Sequence, residues 1–303
     1  MILGCGRAPT AANSSAAESD EHKELRGAMA AVEPFFRPMG KPQEHDWLET
    51  FKEPGQTFDE YIASNPTLPT PERNVIYVQP LGRFTAEQSK VINVAGEYLE
   101  TFYGLKVSRL RPKSLPPKLA EPDQRMIDYP PHRQIRTGWV MDAVLKPALP
   151  GDAAAMIAFT NEDVYPDSSM YFVFGQANLQ DRVGVWSLYR LDDQANFDTF
   201  LARAMKIAAH EVGHMFSMRH CTKYECVMSG TNHLGETDRR PIDACPECMA
   251  KLAWMRKESP AIRYERLAAF AKRNKLEQAA EDFARKLNAV SALYRGGSAS
   301  HSN

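Results

Sequence analysis

The sequence has 303 residues, of which 43% are hydrophobic and 25% charged, the composition of a soluble globular protein with one large domain or two small ones. Its formal net charge of −1 gives no electrostatic reason to expect nucleic acid or an anionic membrane as the main partner. No apolar run approaches the roughly 18 residues that span a bilayer. We therefore predict a protein with no nucleic-acid partner and no membrane partner.

The first 72 residues form two segments of different composition. Residues 1–30 are of low complexity, and their apolar start is too short for a secretory signal. They predict a disordered leader and a cytoplasmic or nuclear, not secreted, protein. Residues 31–72 combine prolines with aromatic residues, which favours an arm that lies across a folded body. Within this arm we expect short helices at 46–51 and 58–63.

Residues 74–110 predict a strand, a helix and a second strand. The β-rich run 74–79 is followed by a capping box of Thr85 and Gln88, after which apolar residues continue at helical spacing to Gly104. Residues 105–110 alternate as a strand. This order favours a parallel pair of strands joined by a crossover helix.

The middle of the chain predicts more strands and a long helix. The expected elements are a loop at 112–131, a helix at 133–145, a buried strand at 153–160, strands at 171–174 and 183–189, and a helix at 197–216. This order is compatible with an α+β or a mixed α/β fold. We predict α+β, with a mixed twisted sheet packed on helices above the long helix.

A histidine-rich motif ends the long helix. His210 and His214 are four residues apart, so they share one helix face and can bind one metal ion. Glu211 lies just off that face, where it can hold a water molecule. His220 can reach the same ion only if the helix stops after His214 and the chain turns back. Glycine is the usual residue at such a left-handed turn, and here the position is Ser217.

Four cysteines follow the motif as two close pairs. Cys221 and Cys226 form the first pair, and Cys245 and Cys248 the second, which is the arrangement of a closed tetrahedral zinc site. The alternatives are four buried small hydrophobic residues, or a zinc ribbon that binds nucleic acid. Because Cys221 directly follows His220, we favour a structural metal ion that shares a loop with a catalytic one.

These motifs resemble the archaemetzincin family of zinc metallopeptidases. The resemblance includes the string from His210 to Met228, the later pair of cysteines, and the upstream pieces 77–82 and 172–176, so it extends over roughly residues 45–255. It implies a metzincin-like catalytic domain at 73–258. That domain would have an upper part at 73–217 and a smaller zinc-bound lower part at 218–258.

The resemblance also implies a role for each motif residue. The catalytic zinc would be bound by His210, His214 and His220, with Glu211 as general base. The second zinc would be bound by Cys221, Cys226, Cys245 and Cys248. Met228 would be the methionine of the Met-turn beneath the metal. The expected reaction is hydrolysis of a peptide bond by a zinc-activated water, with two Zn²⁺ ions per chain.

The family also implies how a peptide or protein substrate binds. In metzincins an extended substrate lies along an edge strand of the upper sheet, and residues 171–176 are the best candidate for that edge. Exopeptidase and endopeptidase action are both compatible with the motif.

The last part of the chain predicts helices at 259–295, broken near Asn274, and a disordered tail at 296–303. An apolar stripe from Leu276 to Tyr294 recurs at steps of three and four. It favours a helix packed on its own domain over a dimer seam.

Two functions remain open on the sequence. The first is an active zinc peptidase, which the presence of all three histidines and Glu211 favours. The second is a catalytically weak relative that binds peptides or partners. Ser217 favours the second, because a side chain in a left-handed turn costs on the order of 1 kcal/mol and would leave His220 less well placed.

Overall fold

The computed structural model describes residues 19–193 and 195–297. Residues 1–18 of the predicted leader and 298–303 of the predicted tail lie outside the described residues. The prediction of disorder is wrong for residues 20–30, because Asp20–Val32 forms helix α1. This helix buries Leu25, Ala28 and Val32, whose spacing of three and four places them on one face.

The main sheet has five strands in the order β2-β1-β5-β8-β7. Its strands are β1 (Val75–Leu81), β2 (Lys106–Arg109), β5 (Ala153–Thr160), β7 (Gly175–Ala177) and β8 (Val183–Ser187). The strands are parallel except β7, which runs antiparallel to β8. Helix α4 (Ala86–Tyr103) connects β1 to β2, so the predicted parallel pair with its crossover is confirmed. The predicted capping box of Thr85 and Gln88 is also present.

A second sheet of three strands has the order β3-β4-β6, formed by Gln124–Asp128, Pro131–Arg136 and Asp163–Tyr165. The predicted loop at 112–131 therefore contains a strand. The predicted helix at 133–145 is wrong for its first four residues, because β4 pairs with β3 on one side and β6 on the other. Pairing with the hairpin partner β3 and with the more distant β6 overrides local helical preference here. The helical part is α5 (Thr137–Trp139), continued by turns at Val140–Leu145 and Lys146–Ala148.

The predicted strand at 171–174 is wrong, because the ladder begins only at Gly175 and β7 is three residues long. Within the described part of the chain β7 pairs with β8 alone, so it is an edge of the main sheet. The candidate edge at 171–176 is thus confirmed for residues 175 and 176. Just before β7, the amide of Val173 donates to the carbonyl of Val164 at 3.1 Å, and the carbonyl of Phe174 accepts from the amide of Ser187 at 2.9 Å.

Helix α6 (Phe197–Met215) is the predicted long helix, and it packs against α4 and the strands β5, β7 and β8. Its first turn is capped by Asn196, whose side chain accepts from the amide of Thr199. The histidine motif occupies its C-terminal end. The helix therefore places the motif beneath the edge of the main sheet.

The arm and the remaining helices surround this core. The arm contains α2 (Trp47–Thr50) and α3 (Phe58–Ala63), as predicted, and the later helices are α7 (Leu234–Arg239), α8 (Pro246–Arg256), α9 (Pro260–Arg273) and α10 (Glu277–Gly297). The break near Asn274 is confirmed. Disorder is a wrong prediction for residues 296 and 297, which belong to α10.

The apolar stripe of α10 packs within the chain. Phe283 and Val290 are fully buried, and α10 contacts α9 and α1. The stripe is therefore explained without a second copy of the chain. None of the described helices combines the length and apolarity that crossing a membrane requires.

Candidate metal centre and cleft

The structure brings the three predicted histidines together. The ligand atoms of His210, His214 and His220 all lie within 4.8 Å of one another. The Nε2 atoms of His210 and His214 are 3.0 Å apart, as expected for two residues separated by one turn of α6. His220 returns to them from the loop after the helix, with its ring centroid 5.1 Å from that of His210 and 4.9 Å from that of His214.

Each imidazole is held in orientation through its Nδ1 atom. The contacts are His210 with the carbonyl of Val227 at 2.9 Å, His214 with the carbonyl of Met218 at 2.7 Å, and His220 with Oε2 of Glu53 at 2.8 Å. An acceptor at Nδ1 fixes the tautomer and leaves the Nε2 lone pair for a metal ion. Three such nitrogens that face a common space can therefore hold a metal.

Burial keeps the first two imidazoles neutral. It lowers the pKa of His210 well below its usual value and that of His214 to about 3, and the neighbouring imidazoles contribute in the same direction. Neutral imidazole is the form that binds a metal ion. His210 and His214 thus have the right protonation state for this role at neutral pH.

The turn after α6 has the left-handed residue that the sequence predicts. Ser217 has a φ of 62°, and the amide of Met218 donates to the carbonyl of Gly213 at 3.0 Å. The Ser217 hydroxyl accepts from the amide of Thr67 at 3.0 Å and donates to the carbonyl of Leu179 at 3.2 Å. Glycine could make neither bond. The serine therefore fastens the turn to the arm and to the loop between β7 and β8.

The N-terminal arm completes the surroundings of His220. Besides Glu53, it contributes Gln56, which accepts from the amide of Arg219 at 3.1 Å and donates to the carbonyl of Ser217 at 3.3 Å. The ring of Trp47 stands edge-on to His220 with centroids 5.0 Å apart. Sequence reasoning missed Glu53, because a single glutamate 167 residues before its partner has no spacing signal.

Glu211 lies beside the histidines, 5% exposed. Burial raises the pKa of its carboxyl to about 8, and its Oε2 atom has no hydrogen-bond partner among the described residues. Gly175 of β7 lies against this carboxylate, because a Cβ at that position would lie 2.6 Å from Oε1. The absence of a side chain at Gly175 leaves the space that Glu211 occupies.

Met228 lies under the motif helix and is fully buried. A Cβ on Gly213 would lie 2.5 Å from its sulfur, so the glycine allows the methionine to contact the helix backbone closely. The carbonyl of Met228 accepts from the amide of Cys221 at 2.8 Å. Met228 thus links the helix to the start of the cysteine cluster.

The four cysteines form a second cluster of metal-ligand geometry. All four are buried free thiols, and their sulfur atoms lie within 4.8 Å of one another. Amides of Cys245 and Met228 donate to the sulfur of Cys226 at 3.2 and 3.4 Å, which are contacts that favour a thiolate. The structure therefore assembles both predicted ligand clusters. They are joined through the peptide bond between His220 and Cys221.

A third cluster, Asp46, His233 and Glu236, has a structural explanation. Asp46 accepts from Arg239 and His233, and Glu236 accepts from Arg240 and from the amide of Trp47. The carboxylates are paired with arginines. This cluster holds the arm against α7.

A cleft of about 500 Å³ contains the histidines, Glu53 and Glu211. Apolar lining comes from β7 and its flanks, including Phe172, Phe174 and Leu179. The loop after Met228 and the side of α6 complete the lining. The edge strand, the histidines and the buried carboxylate thus share one accessible space.

Comparison with known proteins identifies a family of peptidases. Residues 141–254 match peptidase family M54. Archaemetzincin-2 of Rattus norvegicus is 32% identical over 270 residues, which cover 78% of this chain and 74% of the relative. Archaemetzincin-2 of Homo sapiens is 31% identical over 270 residues, with 77% and 73% covered. The crystal structure of archaemetzincin from Methanopyrus kandleri has a TM-score of 0.52 and 26% identity, and the match covers 63% of this chain and 99% of that one.

The chain belongs to the archaemetzincins, peptidase family M54. The resemblance predicted from the motifs and the α+β fold are confirmed. Membership supports a zinc metallopeptidase as the functional class, with peptides or proteins as substrates.

Proposed function

We propose that this chain is an active zinc-dependent metallopeptidase whose catalytic metal is bound by His210, His214 and His220. The observation that supports it most strongly is the shared orientation of the three imidazoles. Each has Nδ1 fixed by an acceptor, which leaves Nε2 for a metal, and all three side chains line the cleft. Zinc accepts three protein nitrogens in catalytic sites and keeps a fourth position open. The donor set of this chain fits that requirement.

Glu211 is the proposed general base. Zinc, when bound, supplies a Lewis acid that lowers the pKa of water and polarises a carbonyl group. Glu211 has a carboxylate oxygen without a partner, in the cleft and next in sequence to His210. It can accept a proton from the attacking water and pass it to the leaving amine. Its burial in an apolar site suits a group that must exchange protons near neutral pH.

The substrate is proposed to bind along β7. The unpaired edge of this strand offers backbone donors and acceptors to an extended peptide, and Gly175 on the same strand adjoins Glu211. Pairing with this edge would hold a peptide bond close to the carboxylate and the histidines. The strand therefore supports positioning of the scissile bond.

We propose a second, structural zinc bound by Cys221, Cys226, Cys245 and Cys248. Four buried sulfurs within 4.8 Å of one another suit a closed tetrahedral site. Because Cys221 follows His220 directly, this ion would fix the backbone of the third histidine. The free thiols require reducing conditions, which supports the proposed cytoplasmic or nuclear location.

The alternative of a catalytically weak binding protein rested on the strain expected at Ser217. The left-handed conformation is present, but two hydrogen bonds of the hydroxyl offset its cost. His220 is in addition oriented by Glu53. These contacts support a well-placed third ligand and hence the peptidase function.

The first test is zinc content. Metal analysis of the purified chain, of His214→Ala and of Cys245→Ser should give about two, one and one zinc ions, and the cysteine variant should also be less stable. Two ions in either variant would contradict the assignment of its ligand. Met126→Ala, a change at an exposed residue of β3, is the matched control and should keep both ions.

The second test is peptide cleavage. Zinc-loaded parent and Glu211→Gln are compared on a peptide library, and we expect a loss of at least a hundredfold in the variant. Equal rates in the two proteins would contradict the peptidase function. Equal zinc contents show that the comparison concerns the carboxylate alone.

A further inference from the structure

Two basic side chains, Lys206 and Arg240, line the same cleft as the histidines. Lys206 precedes His210 by one turn of α6, so it lies on the same helix face and about 6 Å away along the axis. Lys206 is 8% and Arg240 is 7% exposed. Charged side chains are rarely buried to this extent unless their charge is paired. The hydrogen-bond partners of these two side chains therefore show whether their charges are paired within the protein.

Among the described residues, Lys206 donates to no carboxylate. Its ammonium donates to the carbonyls of Thr237 at 3.0 Å and Asp238 at 3.3 Å, which are neutral acceptors. An ammonium has three N–H groups, and the third has no acceptor among residues 19–193 and 195–297. The carboxylate of Asp238 instead accepts two bonds from Arg203, at 2.8 and 2.6 Å. Lys206 is thus a buried cation with a free donor.

Arg240 has a carboxylate near each of its two terminal nitrogens. Its Nη2 atom donates to Glu236 at 2.8 Å and its Nη1 atom is 3.7 Å from Glu225, but its buried Nε has no partner in the described structure. Neither carboxylate is part of the cleft lining. The acidic side chains that line the cleft are Glu53 and Glu211, which adjoin the histidines. Away from the histidines, the described lining of the cleft therefore holds two cations, and the ammonium of Lys206 has a donor without an acceptor.

We propose that Lys206 and Arg240 form a subsite that binds a carboxylate of the substrate next to the scissile bond. This inference rests on the proposed peptidase function and specifies its substrate class. Successive Cα atoms of a peptide are 3.8 Å apart, so the carboxylate of a residue flanking the bond can span the roughly 6 Å by which Lys206 precedes His210 along α6. The carboxylate belongs either to an Asp or Glu side chain or to the C-terminus of a short peptide.

The state of Lys206 agrees with this assignment. Burial lowers the pKa of its ammonium to about 8, and Arg203 and Arg240 add to the shift while Asp238 opposes it. A bound carboxylate would supply the missing negative charge and a further acceptor. The simpler alternative is that Lys206 only caps the C-terminal carbonyls of α7. In that case its loss would change stability but not substrate preference.

The test uses zinc-loaded full-length protein and matched peptides. One series is acetylated and amidated and carries Glu, Gln or Leu at each position flanking the cleaved bond. The other ends one residue after that bond, as a free acid or an amide. We expect kcat/KM for the Glu peptide to exceed that for the Gln peptide about tenfold at one position, as a charged hydrogen bond gives. A preference for the free acid instead assigns the subsite to the C-terminal carboxylate.

Three variants test whether the positive charge of Lys206 causes the preference for a carboxylate. Lys206→Gln keeps a donor for the carbonyls of α7 and should reduce the Glu-to-Gln ratio to about one, and Lys206→Arg should restore it. Arg219→Gln removes an exposed cation of the same cleft and should leave the ratio unchanged. A ratio that survives in Lys206→Gln overturns the proposal. So does a parent that shows less than a twofold preference for a carboxylate in both series.

Binding measurements distinguish failure of the proposed subsite from failure of the proposed peptidase function. Calorimetric titration of zinc-loaded Glu211→Gln with the same intact peptides should show the carboxylate preference, and Lys206→Gln in that background should abolish it. A parent that cleaves no peptide while these titrations succeed contradicts the peptidase function alone. Cleavage without carboxylate preference contradicts the subsite alone.

Discussion

Replacing Ser217 measures two opposing contributions to the turn that carries His220. Ser217→Ala keeps the left-handed strain and removes both hydroxyl bonds, to Thr67 and Leu179. At about 1 kcal/mol for each bond, the alanine variant should be about 2 kcal/mol less stable than the parent. Ser217→Gly loses the same bonds but removes about 1 to 2 kcal/mol of strain. We therefore expect it to remain within about 1 kcal/mol of the parent.

Urea unfolding of the zinc-loaded proteins at a fixed free zinc concentration measures these differences. Zinc affinity, measured by competition with a chromophoric chelator, should fall in the same order, because the turn positions the third ligand. Lys257 provides a matched control. It is also left-handed, with a φ of 50°, and its side chain is exposed at the end of α8. Lys257→Gly should therefore report strain relief alone and raise stability by about 1 kcal/mol.

Two results would refute the reasoning about Ser217. If Ser217→Ala is as stable as the parent, the hydroxyl bonds contribute nothing. If Ser217→Gly is stabilised as much as Lys257→Gly, the serine is only a poorer glycine. In the second case the strain would again favour a catalytically weak protein.

Three further predictions concern the surroundings of the cleft and the core. Glu53→Gln should weaken zinc binding at the catalytic site 10- to 100-fold in chelator competition, because the third imidazole loses its charged acceptor. Gly175→Ala should displace the Glu211 carboxylate and lower kcat/KM about a hundredfold, with zinc content unchanged by metal analysis. Burial alone would raise the pKa of Asp163, but hydrogen bonds from Arg190 and neighbouring residues hold it below its usual value. The stability that this depressed pKa contributes is present above about pH 4 and is lost as the pH falls further. Asp163→Asn should therefore destabilise the protein less below that pH, as measured by urea unfolding of metal-free protein.

Each of these predictions has a control or a contrary outcome. Glu49→Gln changes an exposed glutamate of the same arm and should leave zinc affinity unchanged. Gly151→Ala adds a methyl group where no atom lies within 4 Å and should leave kcat/KM unchanged. A destabilisation by Asp163→Asn that stays constant down to about pH 3 would show that the carboxylate is not depressed in the folded state.

Features defined by neighbours in sequence could be predicted. The spacing of His210 and His214 and the capping box at Thr85 depend on one or two helical turns, so the sequence contains all that determines them. The left-handed conformation at Ser217 followed from the need to bring His220 back. These features depend on residues close in sequence, and the spacing of such residues is sufficient to predict them.

Features defined by distant partners could not be predicted. Residues 133–136 have no strong local preference for a strand, and they form β4 because the distant strand β6 lies on the side opposite the hairpin partner β3. Glu53 is recognisable only once the arm is folded against the loop of His220. Helix α1 was hidden by the composition of its surroundings, although its buried residues are regularly spaced.

The N-terminal arm can complete its contacts only late in synthesis. Its residues are translated well before their partners: the amide of Thr67 donates to Ser217, Glu53 bonds to His220, and the amide of Phe58 donates to Glu247 at 2.8 Å. Until about residue 247 has emerged, the arm has no surface on which to bury Phe58 and Tyr61, which are almost fully buried in the finished protein. Contacts of such long range form slowly and leave apolar surface exposed meanwhile. The nascent chain therefore leaves these apolar side chains uncovered until the segment of the last cysteine pair has emerged.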